Sequence, residues 1–570
     1  MAEAPRQLDP LLALLREQGL IAADQAAAIQ AEHAQTAKPL RNILLDMHLL
    51  PEDELLEVIA GYQDTHVINL PATDIPPDVV RSVPASVART YNAVPVSTGP
   101  NSVELAVFDL VSTQVMDELM FVLTRDVSVV LAREEDVRAR LNQFYGDTSD
   151  AVNDMLSALE SDLENVGDAL TLVGEEDAKG LEEAAAARPV VQFVNLVLFQ
   201  AVNDRASDIH FEPFEKEFKI RYRVDGALYE MAPPPRRLAL PIISRIKVMA
   251  NLNIAERRRP QDGRIQISVA QRPVDLRVST LPTQFGESVV LRVLDRSVVQ
   301  LDLENLGMPE DVFSAFTRDL DKPNGIIILT GPTGCGKTTT LYSGLRRINT
   351  VDLKILTAEE PVEYDIEGLV QVPINEAIGV SFANILRSFL RQDPDVMMVG
   401  EIRDLETAQI AIQASLTGHL VFSTLHTNDA SGAITRLIDM DVPPYLISST
   451  LEAVLAQRLV RVICERCKTA YKPDADILGS LGLTEKDVGE RGFCYGTGCS
   501  FCNDTGYHGR KGIYEYLTIS NPVRELINAR KPTLIIRHQA IEEGMRTLRL
   551  DGIRNVLDGY TTVDEVLKYT

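Results

Sequence analysis

The chain has 570 residues, 45% hydrophobic and 24% charged, which excludes wholesale disorder and predicts three or four folded units. Its 56 Lys plus Arg against 82 Asp plus Glu give a net charge of −26, so no nucleic-acid partner is expected, because a sequence-blind grip on DNA or RNA rests on cations that neutralise phosphates. No uncharged apolar run approaches the ~18 residues of a membrane span, and the opening MAEAPRQLDP lacks a signal-peptide layout, so a cytoplasmic chain with no direct membrane span is expected.

Residues 1–66 read as short helices, with apolar positions at three- and four-residue steps in LLALLREQGLIAADQAAAIQ and again in ILLDMHLLPEDELLEVIAGY. The two stretches repeat at an offset of about 29 residues, and Asp24 and Asp53 stand where each would cap the following helix. From 67 to 146, the β-like runs NAVPVST, SVELAVF and VSVVLA alternate with helical ones, which predicts a small mixed α/β domain. Residues 147–188 hold 12 acidic residues against Lys179 and Arg188 and read as an acidic linker. A second mixed unit at 189–300 has strands at FKIRYRVDG, GRIQISVA, PVDLRVSTLP and ESVVLRVLD. From 301 to 570 strands and helices alternate, the signature of a parallel sheet with crossover helices.

This last region carries the chemistry. Gly331-Pro332-Thr333-Gly334-Cys335-Gly336-Lys337-Thr338 fits G-x-x-x-x-G-K-[ST], preceded by the buried-strand run GIIILT and followed by a helix through Thr339. Glycines let backbone N–H groups wrap phosphates, the helix N-terminus favours anions, Lys337 reaches the β and γ phosphates, and Thr338 offers a hydroxyl to Mg²⁺. Hydrolysis further needs carboxylates for the metal and the attacking water. Two strands supply them at their carboxyl ends: ILTAEEPVEY, with Glu359, Glu360 and Glu363, and DVMMVGEIRD, with Glu401, Arg403 and Asp404. A third, LTGHLVFSTLHTN, carries His419 and His426 at its two ends, with Thr424, Thr427 and Asn428 beside the latter.

Cys464-x-x-Cys467 and Cys499-x-x-Cys502, in an insertion at 461–512, form two knuckles that together make a closed tetrahedral site for structural Zn²⁺. Cys494 breaks the spacing and is read as a bystander. Cys335 replaces another small residue, with a redox-sensitive thiol as the second reading.

The phosphate loop, TAEEPVEY, RQDPDVMMVGEIRD and TGHLVFSTLHTN together resemble the secretion ATPase superfamily of type II secretion, type IV pilus and related motors. The resemblance covers nearly the whole chain, because 67–146 also resembles the amino-terminal domain of these assembly ATPases. It implies a multidomain α/β fold: a RecA-like P-loop NTPase core with a parallel-strand sheet, preceded by a PAS-like mixed α/β domain and a small helical plus α/β N-terminal domain, with the zinc tetracysteine as an insertion. It further implies that Glu363 positions the hydrolytic water, Glu401 assists at magnesium, His426 responds to nucleotide state, and Arg277 and Arg292 approach the triphosphate when two domains close about a hinge near 297–304.

The same resemblance implies an ATP-hydrolysing homohexamer, peripherally associated with the inner membrane through platform and docking proteins, that drives pseudopilus assembly in type II secretion. Pilus extension is the alternative, and a nucleotide-binding regulatory scaffold without hydrolysis is the alternative of another class. Residues 1–66 resemble tandem modules that bind a cyclic dinucleotide through Arg-Leu-Gly. Here Pro10-Leu11-Leu12 and Pro39-Leu40-Arg41 depart from that opening, so docking to a partner is expected of them.

Overall fold

The computed structural model describes residues 9–36, 40–47, 49–145, 184–231, 233–269, 272–295, 301–488 and 492–570. It divides into two compact units, Met1–Ser297 and Val298–Thr570. Most of the acidic linker at 147–188 and the first part of the hinge expected at 297–304 lie outside the described residues, while Arg188, read as the last linker residue, opens a helix over Arg188–Asn203.

The first unit begins with helices Pro10–Glu17, Ala23–Thr36, Leu40–Asp46 and Glu52–Tyr62. The capping expectation fails at both aspartates. Asp24 and Asp53 lie inside the first turn of their helices, the cap before Glu52 is Pro51, and the Asp53 carboxylate instead receives Arg133 at 2.7 and 2.8 Å. The three expected strands form one sheet: β1 (Val94–Thr98) and β2 (Ser102–Val107) run antiparallel, and β3 (Asp126–Leu131) joins β2 in parallel. A second, antiparallel sheet holds β4 (Asp208–Pro213), β5 (Phe218–Val224), β6 (Ala227–Glu230), β7 (Gln261–Val269), β8 (Arg272–Thr283) and β9 (Gly286–Asp295) in the order β6-β5-β4-β9-β8-β7. Alternation of apolar and polar residues made β5, β7, β8 and β9 readable, whereas β4 and the four-residue β6 gave too short a pattern.

The second unit is built on a seven-stranded sheet. Its strands are β10 (Gly325–Thr330), β11 (Ile355–Glu359), β12 (Leu369–Pro373), β13 (Val396–Val399), β14 (Leu420–Leu425), β15 (Leu451–Ile463) and, after a short hairpin of β16 (Lys468–Tyr471) and β17 (Phe493–Gly496), β18 (Tyr507–Thr518). The order is β12-β11-β13-β14-β10-β15-β18, parallel throughout except for the β15–β18 pair. Every residue of β10, β11, β13 and β14 is buried, as expected of strands covered on both faces. Ile326 and Ile328 face a core with Leu386, Ala411 and Ile434, while Ile327 and Leu329 face Phe316, Leu341 and Leu345, so successive β10 residues belong to opposite layers. The parallel strands therefore end on one edge, where their loops meet. Among the described residues no helix is long and apolar enough to cross a membrane.

Candidate functional site

The loop after β10 has Gly331, Gly334 and Gly336 at φ of 149°, 80° and 91°, backbone that side chains rarely adopt. Space demands glycine as well. A Cβ on Gly331 would lie 2.6 Å from both Cys335 Sγ and the Gln457 carbonyl, and one on Gly336 would lie 2.8 Å from Gln457 Nε2. The helix Lys337–Ile348 starts at Gly336 with no side-chain cap, so its first N–H groups face outward, as phosphate binding requires. Pro332, Thr333, Gly334 and Thr338 are exposed along the rim, and Thr339 is half-buried. Lys337 is buried and folds back to donate to the carbonyls of Gly331 at 2.8 Å and Pro332 at 3.1 Å. Burial pulls its ammonium below the ordinary value, a shift that the neighbouring Glu401 carboxylate opposes.

β14 lies between β10 and β13 and joins the phosphate loop to the acidic loop. The Thr330 hydroxyl is 2.7 Å from that of Thr427 and accepts the Thr427 N–H at 2.9 Å. On the other flank, Thr424 donates its hydroxyl to Gly400 at 2.7 Å. The Glu401 carboxylate then sits between His426 Nε2, at 3.0 Å, and Arg403 Nε, at 2.6 Å. Burial acts to raise this carboxyl, but hydrogen bonds from Arg403 and His426 outweigh it and hold the group below its ordinary range. Glu401 and His426 are thus brought together, while His419 bonds to the Ala414 carbonyl at the far end of β14.

The other acids divide by role. Glu359 is 3% exposed and enclosed by Tyr342, Thr357 and Gln371. Glu360 pairs with Arg403 at 3.0 Å, and Asp404 caps the helix Leu405–Leu416 by accepting from Thr407. Glu363 is half-buried in the loop that follows β11, its backbone N–H directed at Tyr342.

The sequence alone did not single out Arg458. This arginine on β15 is 6% exposed and donates to the carbonyls of Gln457 at 3.0 Å and Asn428 at 2.7 Å. Gln457 beside it accepts the Thr340 hydroxyl at 2.8 Å. β15 thus forms one wall of the phosphate loop. The available signal was the Gln-Arg pair interrupting the apolar run from Ala453 to Val460.

Arg277 and Arg292 lie in the first unit, directly opposite each other on β8 and β9. Register extends the row: Arg264 of β7 faces Arg277, and Asp208 of β4 faces both Arg292 and Arg223. Arg292 contacts Asp208 at 3.3 Å. Like charges on opposed strand positions repel, and the Asp208 carboxylate offsets part of that repulsion at Arg292.

The four sulfurs of Cys464, Cys467, Cys499 and Cys502 lie within 4.8 Å of one another. Three of their separations are 3.9, 3.8 and 3.7 Å, against the edge of about 3.8 Å for a tetrahedron with Zn–S near 2.3 Å. The N–H groups of Cys499 and Gly506 both point at Cys502 Sγ, 3.3 Å away, as they would toward a thiolate. Cys494, on β17, stands outside this group. Cys335 is buried, and burial raises its thiol above the ordinary pKa, which disfavours the thiolate.

A family profile described as Type II/IV secretion system protein matches residues 183–568, and one described as MshEN domain matches residues 63–151. The chain is 40% identical to the type IV pilus assembly ATPase PilB of Myxococcus xanthus, over 98% of each chain. It is also 40% identical to the type II secretion system protein E of Xanthomonas campestris, over 98% of this chain and 97% of the relative. The solved structure of the ATPase DotB from Yersinia pseudotuberculosis aligns with 66% of this chain and 92% of its own, at a TM-score of 0.50 and 22% identity, a likeness of fold. The chain belongs to the type II/IV secretion system protein family.

Proposed function

We propose that this chain is an ATPase motor that converts ATP and water into ADP and phosphate and uses the cycle to drive pseudopilus assembly and protein export in type II secretion. The observation that carries this reading is the hydrogen-bonded arc from the phosphate loop through Thr330–Thr427 to His426–Glu401. It joins a phosphate cradle to a carboxylate held ionised by Arg403 and His426.

In this reading the loop 331–339 cradles the phosphates with its backbone N–H groups, Pro332 shaping the loop without donating, and with Lys337, while Thr338 and Glu401 hold Mg²⁺ or its water. Glu363 orients the attacking water, and His426 reports the γ phosphate through its bond to Glu401. Arg277 and Arg292 supply the positive charge that a phosphoryl transition state requires. A ring of six subunits would let each arginine-bearing domain, PAS-like in this reading, serve a nucleotide. Cys464, Cys467, Cys499 and Cys502 would hold Zn²⁺, which supplies a rigid cross-link and no open position for chemistry. Docking through the N-terminal modules would place the ring at the inner membrane.

The test is phosphate release from Mg-ATP by the full-length chain, measured against assembly state. Release that is lost in Lys337→Ala and Glu363→Gln supports the motor. Unchanged release in Glu363→Gln, or none from the parent chain in any assembly state, supports the scaffold reading. The Myxococcus relative, matched end to end, favours pilus extension as the second reading. Rescue of a secretion-deficient strain but not of a pilus-deficient one separates the two.

A further inference from the structure

Tyr342 lies five residues beyond Lys337 on the helix that opens at the phosphate loop, and its side chain is fully buried. Its hydroxyl donates to Glu359 Oε2. The same oxygen receives the backbone N–H of Glu363, at 3.3 Å, and that of Tyr364. Burial first, and then the Glu359 charge, hold the phenol far above its ordinary pKa, so it keeps one proton for Glu359 and its lone pairs for the loop.

Gln371, on β12, completes the arrangement. Its Nε2 donates to Glu359 Oε1 at 3.1 Å and to the Tyr364 carbonyl at 3.0 Å, while its Oε1 accepts the Ile366 N–H at 2.8 Å. Two side chains, Tyr342 and Gln371, thus grip the backbone of 363–366, and Glu359 ties the two together, while the Tyr342 ring meets that of Tyr364 edge-on at 6.1 Å and 77°. The enclosed Glu359 carboxylate fixes both side chains, so any movement of the loop would break its bonds to groups that cannot follow it.

We propose that Tyr342, Glu359 and Gln371 are positioning residues that lock the Glu363 loop to the phosphate-loop helix, so that nucleotide seated on that helix finds Glu363 at a fixed distance. The proposal rests on the reading of Glu363 as the residue that orients water. Neither Tyr342 nor Gln371 touches nucleotide in this arrangement. Their effect is on turnover, and a misplacement of about 1 Å costs up to ~100-fold.

The experiment uses the full-length chain with Mg-ATP and a fluorescent ATP analogue. Tyr342→Phe keeps the ring, and Gln371→Met removes the amide at a half-buried position, so one can fold if the other does not; thermal melting identifies which does. Each folded variant is expected to lower kcat by ~10–100-fold while analogue affinity stays within about twofold. Added to Glu363→Gln, each is expected to cause no further loss, because both routes act through one side chain. An unchanged kcat in a folded variant, a parallel loss of analogue affinity, or an undiminished extra loss in the Glu363→Gln background overturns the latch. Full activity of Glu363→Gln alone overturns the underlying reading instead.

Discussion

Arg458 Nη2 lies 2.7 Å from the Asn428 carbonyl oxygen, so one buried guanidinium ties β15 to the segment that leaves β14. The same side chain comes within 2.9 Å of where a Gly331 Cβ would be. A planar fork reaches the Gln457 and Asn428 carbonyls together, which a single ammonium does not reproduce. Arg458→Lys is therefore expected to raise the KM for ATP by about tenfold, the equivalent of one lost charged hydrogen bond of roughly 1.5 kcal/mol. Steady-state kinetics and melting check it, and a variant indistinguishable from the parent in both would refute it.

Glu401→Gln is expected to lower ATP turnover and melting temperature, and the stability effect carries a pH signature. The folded carboxyl lies below its ordinary 4.5, so its pairing with Arg403 and His426 contributes fully above that value and fades as pH falls through the folded pKa. The melting difference between parent and variant should be constant near neutrality and shrink below about pH 4.5. A difference that grows in acid would contradict the assignment.

The thiolate centre predicts a contrast within one insertion. Cys464→Ser and Cys499→Ser should each lose bound zinc and melt earlier, while Cys494→Ser should keep metal and stability. Elemental analysis with thermal melting reads both, and a metal-free Cys494→Ser protein would show that the ligand set is wrong.

In the first unit, Lys247 donates to Glu287 at 2.8 and 3.0 Å and to the Glu256 carbonyl at 2.7 Å, with both side chains fully buried. Lys247→Met leaves the Glu287 charge enclosed and is expected to cost about 3–5 kcal/mol in denaturant unfolding, whereas Lys247→Met combined with Glu287→Leu should recover much of it. A loss below about 1 kcal/mol in the single variant would mean that Glu287 finds another partner.

How far the sequence announces this arrangement depends on the range of each signal. The phosphate loop, its flanking strand and helix, the carboxyl-end acids and the paired Cys-x-x-Cys knuckles are local patterns, and each reappears in the expected element. Other roles depend on partners distant in sequence. Glu359 and Glu363 are four residues apart in one acidic run, yet the first is sealed in by Tyr342 and Gln371 while the second is half-buried in the loop. The Gln-Arg pair marked Arg458 as unusual, but only the pairing of β10 with β15 shows that it sits against the phosphate loop. The capping assignment for Asp24 and Asp53 erred because a helix N-terminus shifts by a residue or two without altering the apolar period.

The β15–β18 ribbon keeps one register from Gln457, against the phosphate loop, to Arg461, and shifts register before Ile463, next to the first cysteine knuckle. An extended strand rises about 3.3 Å per residue and barely stretches, so Gln457–Arg461 form a stiff segment of roughly 13 Å. The phosphate loop and the four-cysteine cluster therefore share one strand, with the single irregularity of its pairing with β18 placed between them.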